Sequence, residues 1–133
     1  MPLVEEVFPE RPVLIRDVAA QSLQLVMDYL GQPFPHSLSS DYAKPDAVRG
    51  AERVVFLCRQ LRATAYYNAP GGTELYDRDA FMREGVELRF VVPRKVEYPQ
   101  FRSPFVPWLS MLDVLMFNGR EAVRTMLREY DLA

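Results

Sequence analysis

The sequence predicts an α/β fold, a three-layer α/β/α arrangement around a small, mostly parallel sheet of about three strands with about five helices. Three observations predict it. Two β-rich runs, TAYYN at 64–68 and VELRFVV at 86–92, bracket a short stretch of helical character at 78–84. That order of strand, helix and strand with short joints is a βαβ unit, whose strands run parallel. The chain has 133 residues, 49% of them hydrophobic, which suits a single domain over residues 1–133 with a real core.

The elements follow in order. Pro2, Pro9 and Pro12 make an extended lead-in, because proline and its predecessor resist helix. From about Val13 to Leu30 neither Gly nor Pro occurs, and Val18, Leu23, Val26, Met27 and Leu30 recur at helical spacing. Gly31 stands where a left-handed residue would end that helix. Residues 34–40 are short enough for a strand, and 42–50 read as a loop broken by Pro45 and Gly50. A second helix spans 51–61, its apolar face built from Val54, Val55, Leu57, Cys58 and Leu61. Asp77 is a natural N-cap for the helix at 78–84, and Gly85 its stop. Between 93 and 107, four prolines interrupt any regular element. A loop of that length in a compact domain is more often functional than idle. Ser110-x-x-Asp113 resembles a capping box opening a helix through Phe117, and Asn118-x-x-Glu121 opens another that continues to about Tyr130.

Composition excludes several classes. With 16 Lys+Arg against 18 Asp+Glu the net charge is −2, without the basic footprint of a nucleic-acid binder. One cysteine and one histidine make neither an internal disulfide nor a zinc cage, so no metal or cofactor is expected. The apolar runs at 54–58 and 114–117 fall far short of the roughly 18 residues a membrane span needs. The first residues lack the basic start and apolar stretch of a signal peptide, so the expected location is cytoplasmic.

Three places could carry chemistry. The segment Asn68-Ala69-Pro70-Gly71-Gly72-Thr73, leading to Tyr76, lies between the carboxyl end of a strand and the next helix, where open α/β sheets bind ligands. Its glycines would let main-chain N–H groups approach an anion, with Asn68 and Thr73 adding side-chain hydrogen bonds. The bland alternative weighs equally: a tight turn that needs positive φ at Gly71 or Gly72. The second place is the proline-rich loop, where Tyr98 and Arg102 are ligand-binding candidates among aromatics that otherwise pin the loop. The third is Asp113 with Asn118. A carboxylate there serves as a base or, more commonly, as a helix cap beside Ser110. His36 lacks an acidic or thiol partner nearby, and Cys58 on an apolar helix face reads as an inert buried thiol.

Three blocks of this sequence resemble the WbqC-like protein family. A Tyr-x-Asn-x-x-Gly-Gly-x-Glu-Leu-Tyr block falls on Tyr66 or Tyr67, Asn68, Gly71, Gly72, Glu74, Leu75 and Tyr76. A Tyr-x-Gln block falls on Tyr98 and Gln100. A Pro-x-Leu-Ser-x-x-Asp-x-Leu-Met-Phe-Asn block falls on Pro107, Leu109, Ser110, Asp113, Leu115, Met116, Phe117 and Asn118. The helix end Asp28–Gly31 and the helix carrying Arg53, Leu57 and Cys58 look similar too. The family's opening strand with its His-Gln-Pro-x-Tyr-x-Pro segment has no counterpart here, so the match is to the family's C-terminal half.

The resemblance implies a bacterial protein linked to O-antigen and other surface polysaccharides, a transferase moving an amino acid or acyl group onto an activated sugar. It implies a small-molecule or nucleotide-sugar ligand, and either a homodimer or an upstream-encoded N-terminal half to cover exposed apolar surface. The competing expectations are a non-catalytic accessory module that holds a phosphorylated ligand with the same loop, or an inactive truncated fragment.

Overall fold

A computed structural model describes residues 14–43, 45, 47–101 and 104–133. The proline lead-in and Val13 lie outside the described residues, as does Arg102. Among the described residues, five α-helices and a three-stranded mixed sheet make a small α/β fold. They group into two compact units, 14–36 with 96–128, and 37–95 with 129–133.

The second unit holds the sheet. Helix α2 (Gly50–Gln60) leads to β1 (Ala65–Asn68), a 3₁₀ turn at Pro70–Gly72, helix α3 (Arg78–Arg83) and β2 (Glu87–Pro93). Strands β1 and β2 pair in parallel, Tyr66 opposite Leu88 and Asn68 opposite Phe90, as the βαβ order requires. Leu88 and Phe90, two residues apart on one face, are buried with Phe81 of α3, Cys58 of α2 and Val86. Val54, Val55, Tyr66 and Tyr76 pack around them. Asp77 caps α3 by accepting a 3.0 Å hydrogen bond from the Asp79 N–H. Gly85, at φ 72°, turns the chain into β2.

Strand β3 (Tyr130–Leu132) is the structural surprise of this unit. The sequence reads as helix to about Tyr130, but the helix stops four residues earlier, at Met126, and the chain pairs antiparallel with the end of β2. Arg94 explains the stop. Its N–H donates to the Glu129 carbonyl at 2.8 Å and its guanidinium forks onto the Asp131 carboxylate. A partner 37 residues away thus overrides local helix propensity.

The strand expected at 34–40 is absent as well. Pro35 interrupts any ladder, and Asp41 accepts from the Leu38 N–H at 3.2 Å within a 3₁₀ turn at Ser39–Asp41. Local side-chain bonding outcompetes strand pairing there.

The first unit is helical. Helix α1 (Ile15–Leu30) ends at Gly31, whose φ of 65° is the left-handed C′ conformation expected from sequence. Helices α4 (Met111–Phe117) and α5 (Arg120–Met126) bring Leu115 and Val123 against Leu30, closing a core with Val26, Tyr29, Met111 and Val114.

Candidate functional site

The loop after β1 gathers five of the residues singled out by sequence: Asn68, Gly71, Gly72, Thr73 and Tyr76. It leaves the carboxyl end of the parallel pair, and Pro70 at the start of the 3₁₀ turn fixes its direction. Positive φ among the described glycines falls at Gly31, Gly50 and Gly85, so neither Gly71 nor Gly72 is there for a left-handed turn. Gly72 is there for space. A Cβ on it would stand 2.2 Å from the Asn68 amide nitrogen and 3.1 Å from the Tyr76 ring, whereas a Cβ on Gly71 would meet open space.

Several of the loop's main-chain donors are spent internally. The Gly72 and Thr73 N–H groups donate to Ala69 and Pro70 carbonyls at 3.0 and 3.2 Å, and those of Leu75 and Tyr76 donate to the Gly72 carbonyl. Asn68 accepts from the Ala69 N–H at 2.9 Å through Oδ1. What the loop presents outward is side-chain chemistry: Thr73 and the exposed Glu74 and Leu75. Tyr76 turns inward, edge-on to Tyr66 and Phe81 at 5.7 and 5.8 Å between ring centroids. Burial, with the Tyr76 phenol alongside, pushes the Tyr66 hydroxyl up to about 12. Burial also pushes the Cys58 thiol up, which keeps it protonated and unreactive at neutral pH.

Beside this loop, α2 and α3 enclose a groove of about 490 Å³. Val55, Phe56, Leu75, Ala80 and Phe81 contribute its apolar walls, and Arg59 and Arg83 line it together with Glu52, Asp77 and Glu84. Both cations sit in open ion pairs, Arg59 with Glu84 at 3.4 Å and Arg83 with Asp77 at 3.9 Å. Pairs this exposed contribute little and yield readily to a stronger anion. Neither Arg59 nor Arg83 stood out in the sequence. A signal existed: each arginine occupies the last turn of a helix that borders the Leu75–Asp77 segment.

The remaining candidates belong to the helical unit. Tyr98 donates to Asp113 Oδ2 at 2.7 Å, and the Gln100 amide reaches the same oxygen at 3.4 Å. Burial and the acceptance of its proton by Asp113 raise the Tyr98 hydroxyl above its usual range, so the phenol remains a donor. Gln100 also clamps its own loop, donating to the Val106 carbonyl at 3.0 Å and accepting from the Val106 N–H at 2.9 Å. Ser110 is the N-cap of α4, accepting from Leu112 N–H at 3.2 Å. Asp113, three residues on, turns to Tyr98 and Gln100. Asn118 closes α4 by donating to the Val114 carbonyl at 2.9 Å, while Gly119 precedes α5. The second and third sequence blocks therefore meet in one hydrogen-bonded cluster.

Among the described residues, no group of three or more His, Cys, Asp or Glu is placed to hold a metal ion, and no helix is long and apolar enough to cross a membrane. Comparison with known proteins gives a family. The family model described as the WbqC-like protein family matches residues 1–125. An uncharacterized protein of Mycobacterium tuberculosis, Rv1507c, is 31% identical over 101 residues, covering 75% of this chain and 43% of that protein. The chain thus aligns with less than half the length of that curated relative. No solved structure matches it.

Proposed function

The chain belongs to the WbqC-like protein family, and from that premise we propose that it binds a nucleotide-sugar in the synthesis of bacterial surface polysaccharide. The reading places it in the cytoplasm, where such donors are made, and gives it a role in group transfer to the activated sugar. One observation carries it. The loop Asn68–Tyr76 leaves the carboxyl end of a parallel strand pair and borders a groove with apolar walls. There Arg59 and Arg83 sit in exposed ion pairs with Glu84 and Asp77, and Glu52 also lines the wall. Apolar walls suit a nucleoside, and arginine forks suit a diphosphate. Thr73, exposed on the loop, supplies a hydroxyl. Gly72 enters as space for Asn68 and Tyr76.

Thermal shift with UDP-, GDP- and dTDP-sugars tests the reading, because a ligand of the native state raises the midpoint with concentration. The expected result is a rise with at least one of them that Arg59→Ala and Arg83→Ala each abolish, with the unliganded midpoint nearly unchanged. No rise with any of the three sinks the proposal. A nucleotide-sugar that binds but returns intact by mass spectrometry, with acyl donors present, makes the protein a binding module instead of a transferase.

A further inference from the structure

We infer that Glu84 is a built-in competitor in the groove between α2 and α3, holding Arg59 until a diphosphate displaces it. The inference rests on the reading of that groove as an anion site and adds a residue that regulates it. Arg59 and Glu84 both line the groove, Arg59 from the last turn of α2 and Glu84 from the position that follows α3. Their side chains meet at 3.4 Å, so the ion pair ties together the two helices that enclose the space. The contact is longer than the 2.8 Å pair of Arg89 with Glu87. Both side chains are well exposed, 66% and 40%, and a pair of that kind is held weakly.

Two features single out Glu84. Its backbone is pinned while its side chain is not. The Glu84 N–H donates to the Phe81 carbonyl at 3.0 Å, and the Gly85 and Val86 N–H groups donate to the Met82 and Phe81 carbonyls at 2.9 and 3.1 Å. A carboxylate on so fixed a stem has a high effective concentration beside Arg59, and only its side chain must swing for a ligand to enter. Glu84 also breaks a local rule. The C-terminal end of a helix favours cations, as Arg83 one position earlier satisfies, and disfavours a carboxylate. A local rule broken at a groove-lining residue marks a functional constraint.

Asp77, the partner of Arg83, does not play this part. Its Oδ1 accepts from the Asp79 N–H at 3.0 Å as the cap of α3, and Arg83 Nε donates to the Asp79 carbonyl at 3.2 Å. That pair belongs to the helix itself. A diphosphate wins the exchange with Glu84 because it brings more charge and paired oxygens that match the guanidinium fork.

Titration calorimetry with inorganic pyrophosphate, UDP-glucose, GDP-mannose and dTDP-glucose tests this on the native protein, Glu84→Gln, Arg59→Ala and the double variant. Glu84→Gln should bind pyrophosphate, and any nucleotide-sugar the native protein takes, about two- to fivefold more tightly at low salt. The gain should shrink as salt rises and vanish when Arg59→Ala is added. Glu84→Ala gives a second reading if the thermal midpoint of Glu84→Gln falls.

The inference is overturned if every probe binds the native and Glu84→Gln forms alike, or binds neither. A gain that survives Arg59→Ala also overturns it, because net charge alone would then be at work. Tighter pyrophosphate binding by Glu84→Gln, with no nucleotide-sugar bound by either form, removes the nucleotide-sugar reading and leaves this one. Nucleotide-sugars that bind both forms equally do the opposite.

Discussion

Gly71 and Gly72 are neighbours with opposite tolerances, and the difference lies in what surrounds each Cα. Gly71→Ala places a methyl in open space at ordinary φ and should leave the denaturation midpoint unchanged or slightly raised. Gly72→Ala drives the Asn68 amide aside, breaks its 2.9 Å bond to the Ala69 N–H and presses on Tyr76. Overpacking of that kind costs about 1–3 kcal/mol. Denaturant unfolding of the two variants side by side checks it, and equal midpoints would mean Asn68 moves at no cost. A second residue-level contrast concerns the cluster at α4. Tyr98→Phe keeps the ring against Phe105 and Phe117 but removes the donor to Asp113. It should cost about 1 kcal/mol, the net worth of a typical hydrogen bond. Ser110→Ala should cost about 0.5–2 kcal/mol as a lost N-cap, and no change there would mean that solvent replaces the serine oxygen.

At the scale of elements, β3 depends on Arg94 and Asp131 in a way that pH exposes. The Arg94 guanidinium holds the Asp131 carboxyl below its ordinary value of 3.8. A depressed carboxyl contributes stability that is present above that ordinary value and is lost as pH falls through the lower folded value. Hydrogen exchange at Ala133, whose N–H bonds to Phe90 at 3.0 Å, should therefore quicken on acidification below about 3.8, corrected for intrinsic rates. Asp131→Asn should exchange faster at neutral pH and lose the acid dependence; an unchanged acid profile would assign the effect to another carboxylate. The same strand shows where sequence reading stops. Helices α1, α2 and α3 and strands β1 and β2 were legible because their signals are local: apolar spacing, Asp77 before α3, Gly31 and Gly85 after two helix ends. Strand β3 was illegible because Arg94 lies 37 residues away, and nothing near Tyr130 announces that partner. The cluster at α4 was half legible. Ser110 and Asp113 have capping-box spacing, yet Asp113 turns to Tyr98 across a loop that spacing alone does not fold. Gly72 has a structural reason to be glycine, room for Asn68 and Tyr76, other than the positive φ its pattern suggested.

For the whole molecule, the pH dependence of stability follows from which groups folding changes. Tyr66 is such a group. Its ring stacks on Phe81 at 5.6 Å at the heart of the α/β unit, and burial beside Tyr76 holds its hydroxyl neutral up to about 12 against an ordinary value of 10.0. The folded value is the raised one. Its contribution is therefore complete below pH 10.0 and declines as pH rises towards about 12, because only the unfolded chain ionises readily across that interval. Thermal midpoints measured at pH 8, 10 and 11.5 should fall steeply between the last two in the native protein. Tyr66→Phe preserves the stack with Phe81 and removes the ionisable group, so its midpoint should fall less over the same interval. Superimposable profiles would show that alkaline unfolding begins elsewhere in the chain, and Tyr98, whose hydroxyl Asp113 also holds protonated, would be the next group to replace.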